Sequence, residues 1–411
     1  MDIKYLLKII ISPVTSSLYF ISGMIPRDPK IWAFGSNNQI FSDNSKYLYI
    51  YLLNSYPSLK CVWITTKPDV FKKISERGGN VAMKWSLKGF WYALRSKYWF
   101  VSGSRPDINF YASKGATTFN LWHGIPLKKI GFDIDNGPQY NEFHSTSFIH
   151  RKIIAKDIFI APEYFLSTSD YVSRKIFSSA FAIPLERCLS FGYPRNDIFS
   201  MNVDSIQKLV TKWESKEIDD LLNKIKSSNR TWVYMPTFRD SKPNFLVDIE
   251  LNYEKINSFL IAHNHFFILK LHPLTSADTF ESLKKYSNII CMNPKDDIHL
   301  LLPFCDALIT DYSSIYFDFL LLDKPIYFFS YDLDEYLLQS RSMYYDYTDI
   351  TPGDKILKAE DLQSLICSEV LEDNWKKRRE EFKKKFFKFS DGNSSQRITD
   401  FIIQENKLNV N

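Results

Sequence analysis

Two histidines in this chain stand in turn-forming company. His123 is followed by Gly124 and then Pro126, and His272 by Pro273. Each ends an apolar run, residues 118–122 and 266–271, that reads as a short strand. An imidazole titrates near neutrality and so suits proton transfer. A third run, residues 307–309, leads into Thr310, Asp311, Tyr312, Ser313 and Ser314; beyond it Ile315, Phe319 and Leu322 recur at helical spacing until Lys324 and Pro325 stop the helix. Ser313 and Ser314 therefore fall at an expected helix start, where unpaired backbone N–H groups and a positive dipole favour a phosphate. Asp318 lies one turn after Ser314 on the same face, within reach of a sugar on that phosphate. A fourth run, residues 232–235, opens into Pro236, Thr237, Phe238 and Arg239. With Lys270 just before His272, these residues suit a diphosphate and a proton transfer. Each also has a plainer meaning: a structural histidine, an N-cap serine, a surface aspartate.

The elements that would position these groups alternate along the chain. Strand-like residues 31–34, 61–64, 98–101 and 118–122 are separated by helical stretches such as 46–53 and 87–96. Strand–helix–strand alternation implies parallel sheets covered on both faces, with ligands bound beyond the carboxyl ends of the strands. Residues 200–230, rich in Lys, Asp, Glu and Ser, interrupt the pattern with one amphipathic stretch at 218–225 before alternation restarts. The economical reading is an α/β chain of two doubly wound halves. It divides into an N-terminal amphipathic segment (1–28), a first Rossmann-like domain (29–200), a linker (201–229), a second Rossmann-like domain (230–390) and a C-terminal helix and tail (391–411).

Bulk properties narrow the function classes. With 45% hydrophobic and 24% charged residues in 411, the chain is globular rather than disordered. A net charge of +5 without a basic stripe gives no nucleic-acid footprint. Five scattered cysteines carry neither zinc nor disulfide spacing and read as buried thiols. No metal site is evident: Asp133 and Asp135 are common loop aspartates, and Asp296 and Asp297 near His299 read as the cap of a helix at 298–302. At the N-terminus, Lys4 and Lys8 flank a short apolar run broken by Pro13, too short to span a bilayer. It is either a helix lying in a membrane surface or a first helix packed on the core. The basic-aromatic run at 375–389 is either a second membrane contact or a solvated helix with its aromatics turned inward.

Taken in order, the motifs resemble a known family. Residues Trp122 to Lys128, Gly192 to Asp197, Pro236 to Arg239, Leu271-His272-Pro273, Thr310 to Ser314, Lys324-Pro325, Tyr331-Asp332-Leu333 and Asp391-Gly392 follow the order seen in the CDP-glycerol glycerophosphotransferases, the teichoic-acid primases and polymerases. The likeness runs from about residue 30 to 402. It implies a GT-B-type fold of two Rossmann-like domains facing across a cleft. The activity it implies is transfer of a polyol phosphate from CDP-glycerol or CDP-ribitol to an acceptor hydroxyl with release of CMP, in synthesis of a teichoic-acid-like wall or capsule polymer.

Carried over by motif, His123 is the general base and His272 stabilises charge on the donor diphosphate. Ser313 and Ser314 hold phosphate, and Asp318 binds the ribose. Gly124, Ile125, Pro126, Leu127, Arg195, Pro236, Thr237, Arg239, Lys270, Pro273 and Leu274 complete the donor pocket. Ile125 stands where family members often have threonine. No cofactor is implied; the expected partners are a lipid-linked or glycan acceptor and the cytoplasmic face of a membrane. A GT-B glycosyltransferase using a CMP- or UDP-sugar is the alternative enzyme. A non-catalytic membrane-docking relative is a third reading. Oligomeric state is not legible.

Overall fold

The structure, a computed structural model, describes residues 3–137, 139–239, 249–272, 275, 281–339 and 342–408. The chain divides into two compact units. Unit 1 comprises residues 1–123, 129–200 and 387–411; unit 2 comprises 124–128 and 201–386.

Unit 1 is built on seven strands: β1 (Asp28–Phe34), β2 (Lys60–Thr65), β3 (Val81–Met83), β4 (Ser96–Val101), β5 (Thr117–Asn120), β6 (Tyr164–Ser167) and β7 (Cys188–Ser190). Their order is β3-β2-β1-β4-β5-β6-β7, every neighbour parallel. Both faces are covered, so the strands read as unbroken apolar runs: residues 31–34 and 61–64 are buried throughout. Helix α1 (Ile3–Ser22) precedes the sheet; α2 (Asp43–Ser55), α3 (Pro68–Glu76) and α4 (Leu87–Arg95) cross over between strands.

Unit 2 repeats the plan with β8 (Arg230–Met235), β9 (His265–Leu269), β10 (Ile289–Cys291), β11 (Ala307–Thr310), β12 (Ile326–Phe329) and β13 (Asp354–Ile356) in the order β10-β9-β8-β11-β12-β13, all parallel. Each sheet has a switch point where the order reverses, between β1 and β4 and between β8 and β11, and that is where a doubly wound sheet binds its ligand.

Three expectations change. Residues 201–229 are not a linker: they fold as helices Val203–Trp213 and Lys216–Lys226, whose apolar stripes (Ile206, Val210, Trp213; Ile218, Leu221, Leu222, Ile225) are buried. Their abundant charges are simply the solvent faces of two amphipathic helices. Residues 387–390 belong to unit 1 rather than to the second domain, and the motif at 122–128 is divided, with His123 in one unit and residues 124–128 in the other. The basic run near the C-terminus is helix Lys376–Phe386, with Phe382 and Phe386 buried and Phe386 packed on Phe317 at 4.7 Å, so its aromatics do turn inward.

Candidate active site

In unit 1 the switch point surrounds His123. The chain leaves β5 through Asn120 and adopts a left-handed backbone at Trp122 (φ 51°), an unfavourable setting for a non-glycine residue. Side-chain amides stabilise it: Asn44 Nδ2 donates to the carbonyls of Leu121 and Trp122, each at 2.9 Å, and Asn120 Oδ1 accepts from Trp122 N at 3.0 Å. His123 then lies against the Trp122 ring at 4.1 Å. Its Nδ1 is 2.9 Å from the Ser102 carbonyl at the end of β4. A carbonyl only accepts, so Nδ1 carries the proton and Nε2 is the basic nitrogen. Arg195 Nη1 donates to the His123 carbonyl at 2.8 Å and lies 3.3 Å from Asp43.

His123 and Trp122 line a cavity of about 570 Å³ whose wall also includes Asn37, Gly103, Arg105, Asn120, Phe181 and, from α1, Lys8.

Unit 2 holds residues 124–128 and the motifs from Pro236 to Leu333, while Gly192 to Asp197 and Asp391-Gly392 lie in unit 1. Residues 124–128 run as a strap in which Lys128 bridges Met343, Leu127 O accepts from Tyr344 N at 2.8 Å, and Lys128 Nζ sits 4.6 Å over Tyr336. Tyr336 in turn stacks on Tyr312 at 3.9 Å. The switch point is closed by ion pairs. Arg239, 5% exposed, donates from Nε and Nη2 to Asp332 at 2.5 and 2.9 Å, from Nη1 to the Thr237 carbonyl at 2.7 Å, and lies 2.9 Å from Asp311.

Asp311 Oδ1 accepts from Thr237 N at 2.8 Å, and Tyr312 OH donates to Asp332 at 2.8 Å. Burial opposes charge on Arg239, but its two carboxylates outweigh that and raise its pKa. Burial likewise raises Asp311 although Arg239 pulls the other way, whereas the hydrogen bonds from Arg239 overcome burial and lower Asp332.

Ser313 and Ser314 are part-exposed at the end of this network, ahead of one α-turn, Ile315–Phe319, that tightens into a 3-10 turn at Leu320–Leu322. So short a helix has little dipole to offer, which leaves hydroxyls and local N–H groups as the phosphate donors there. His272 is exposed and stacks on Phe238 at 4.9 Å, beside the Pro236–Thr237 turn.

Four expected donor contacts take other roles. Arg195 lies in unit 1, buried at the His123 carbonyl. Arg239 is used internally by Asp332 and Asp311. Lys270 Nζ donates to the carbonyls of Asn293, Pro294 and Asp296 at 2.9, 2.9 and 2.6 Å, and burial lowers its pKa to about 8. Asp318 is 1% exposed with Oδ2 3.5 Å from His299 Nε2. In each case a buried charge has to be matched by internal partners, and those partners are not adjacent in sequence. Pro273 and Leu274 lie outside the described residues. Gly124, Ile125, Leu127, Pro236 and Thr237 stand with the unit 2 group.

Sequence reasoning missed Ser102, Asn44 and His299. No helix spans 298–302; His299 N instead donates to Asp297 Oδ1 at 3.0 Å in an Asx turn, and the Asp-x-His spacing was the available signal. Asp133 accepts from Ser179 and Asp135 pairs with Lys129, which gives both loop aspartates structural partners.

The model of the CDP-Glycerol:Poly(glycerophosphate) glycerophosphotransferase family matches residues 17–404. The chain belongs to that family. It is 28% identical over 411 residues to the teichoic acid glycerol-phosphate transferase of Staphylococcus aureus, covering 98% of this chain and 100% of that one. It is also 28% identical over 391 residues to the teichoic acid poly(glycerol phosphate) polymerase of Staphylococcus epidermidis, covering 91% of this chain but only 50% of that longer protein. Among solved structures, a wall teichoic acid polymerase, TagF, superposes with a TM-score of 0.75 at 23% identity over 99% of this chain and 98% of that one. The fold is therefore of the GT-B type, two Rossmann-like units in one chain.

Proposed function

We propose that this protein transfers glycerol phosphate from CDP-glycerol to an acceptor hydroxyl, releasing CMP, in wall teichoic acid synthesis. The observation that carries the reading is His123: one ring nitrogen is fixed by the Ser102 carbonyl and the other is left basic on the wall of a cavity. The acceptor oxygen attacks the phosphorus that bears glycerol. The bond to the CMP oxygen breaks, and the hydroxyl proton passes to His123 Nε2. Such proton transfer contributes about 10²–10⁴ in rate. On the donor side, Ser313, Ser314, the Thr237 turn and the 124–127 backbone hold the diphosphate, and His272 meets the charge that develops as CMP leaves.

Helix α1 supports a peripheral membrane position. Its polar residues Lys8, Ser12, Thr15 and Ser16 line a cavity against the body of unit 1. Ile10, Val14, Leu18 and Ile21 face outward, Ile10 and Val14 at 69% and 64% exposure. A helix bathed in water on that face would forgo about 1.5–3 kcal/mol per large apolar side chain. No helix among the described residues is long and apolar enough to cross a membrane. An interfacial helix resolves the inverted pattern.

The test is CMP release from the purified chain given CDP-glycerol, CDP-ribitol or a CMP-sugar with a lipid-linked acceptor. Turnover with CDP-glycerol and a product heavier by one glycerol phosphate are expected. Turnover only with a CMP-sugar overturns the assignment.

A further inference from the structure

Beneath α1 lies a second cavity, about 260 Å³, that the transfer chemistry does not use. Its lining includes Lys8 from α1, Lys84 and Trp85 after β3, and Lys152 and Lys156 from the turn that follows His150. Four lysines thus line one small chamber, Lys8 with its Nζ on the Ile154 carbonyl, and Asp157 is the sole carboxylate among the lining residues. Lys84 is buried and donates to the Pro106 carbonyl; Lys156 sits over the Tyr19 ring at 4.4 Å. Burial and then the like charges of Lys114 and Lys152 lower the pKa of Lys156, while Asp107 pulls that of Lys84 upward against its burial. On the solvent side its lining is apolar, with Trp85 64% and Ile11 of α1 44% exposed. This cavity shares Lys8, Ile154 and Asp157 with the larger one that reaches His123.

We propose that the lysine chamber is an anionic subsite for the phosphate or diphosphate at the lipid end of an amphiphilic acceptor, whose growing end reaches His123 through the adjoining cavity. The proposal deepens, and rests on, the reading of His123 as base and α1 as interfacial. A diphosphate matches four clustered ammonium groups, and its prenyl-type tail continues into the apolar rim that a bilayer would cover.

The test uses the full chain and farnesyl diphosphate as probe, followed by quenching of Trp85 fluorescence, with Trp85→Phe as the blank. Saturable quenching is expected. It should weaken about tenfold, the worth of one or two charge-assisted hydrogen bonds, in the Lys152→Ala/Lys156→Ala double variant. Lys152→Glu, at an exposed position, serves as a second variant should the double change loosen α1. In turnover, the same variants should raise KM for a lipid-diphosphate acceptor while kcat and KM for CDP-glycerol hold.

Equal affinity in wild type and both variants overturns the subsite, as does farnesol binding as well as the diphosphate. Lysine dependence seen only with vesicles containing phosphatidylglycerol, and not with the soluble diphosphate, also overturns it, because the patch then reads surface charge. Lysine-dependent diphosphate binding in a protein that releases no CMP from CDP-glycerol upholds the subsite and sinks the transferase reading instead.

Discussion

The two switch points are built alike and furnished oppositely. In unit 1, between β1 and β4, amides and carbonyls hold one imidazole at a cavity wall, and the one ion pair beside it, Arg195 with Asp43, meets the His123 backbone rather than its ring. In unit 2, between β8 and β11, a buried guanidinium ties two carboxylates and a tyrosine into a closed network, and His272, hydroxyls and backbone are left near the surface. One region keeps a titratable group in reserve for substrate; the other uses its charges to hold a loop in shape. Charge in a candidate donor site is thus a poor guide to which residues touch the donor. A buried ion that already has its partners gains little from a ligand.

That contrast yields graded expectations. His123→Ala should lower kcat about a thousandfold in a CMP-release assay because the general base is lost, while the loss of its Ser102 hydrogen bond and Trp122 stacking should cost only about 1 kcal/mol in unfolding. Arg239→Met should do the reverse in kind, costing about 3 kcal/mol in urea unfolding because Asp311 and Asp332 are left buried without a counter-charge. Near-normal stability of that variant would mean the network is not what shapes the unit 2 loop.

His272→Ala should reduce kcat about a hundredfold. The Ser313→Ala/Ser314→Ala pair should raise KM for CDP-glycerol about tenfold, with little effect on unfolding. The smallest effect concerns Lys270. Its folded pKa of about 8 lies below the ordinary lysine value, so between the two the unfolded chain binds more protons and stability rises with pH. Wild type should gain on Lys270→Met as pH is raised above 8. A flat difference would show that Lys270 is not buried as described, and would return it to the donor side.

Several motifs legible in the sequence turn out to be architectural. Asp197 accepts from Ser394 N and Ser395 N at 2.8 Å each, capping the last helix of the chain. A Cβ on Gly392 would meet Ser200 Cβ at 2.6 Å and the Asp197 carbonyl at 3.1 Å. Motif order thus pointed to the family, but it did not separate catalytic from supporting residues.

What the sequence determined by itself was local: strands such as those at 31–34 and 307–309, the polar residues at strand ends, the doubly wound plan, and the family that the motifs resemble. These follow from apolar periodicity and turn chemistry, which act over a few neighbours. Which nitrogen of His123 is basic, that Arg239, Lys270 and Asp318 face inward, and that Lys8 of α1 reaches the Ile154 carbonyl were decided only by tertiary structure. The partners of those groups lie tens to hundreds of positions away, as Asp332 does from Arg239 and Ile154 from Lys8. A buried polar atom takes its role from whichever group folding brings within about 3 Å.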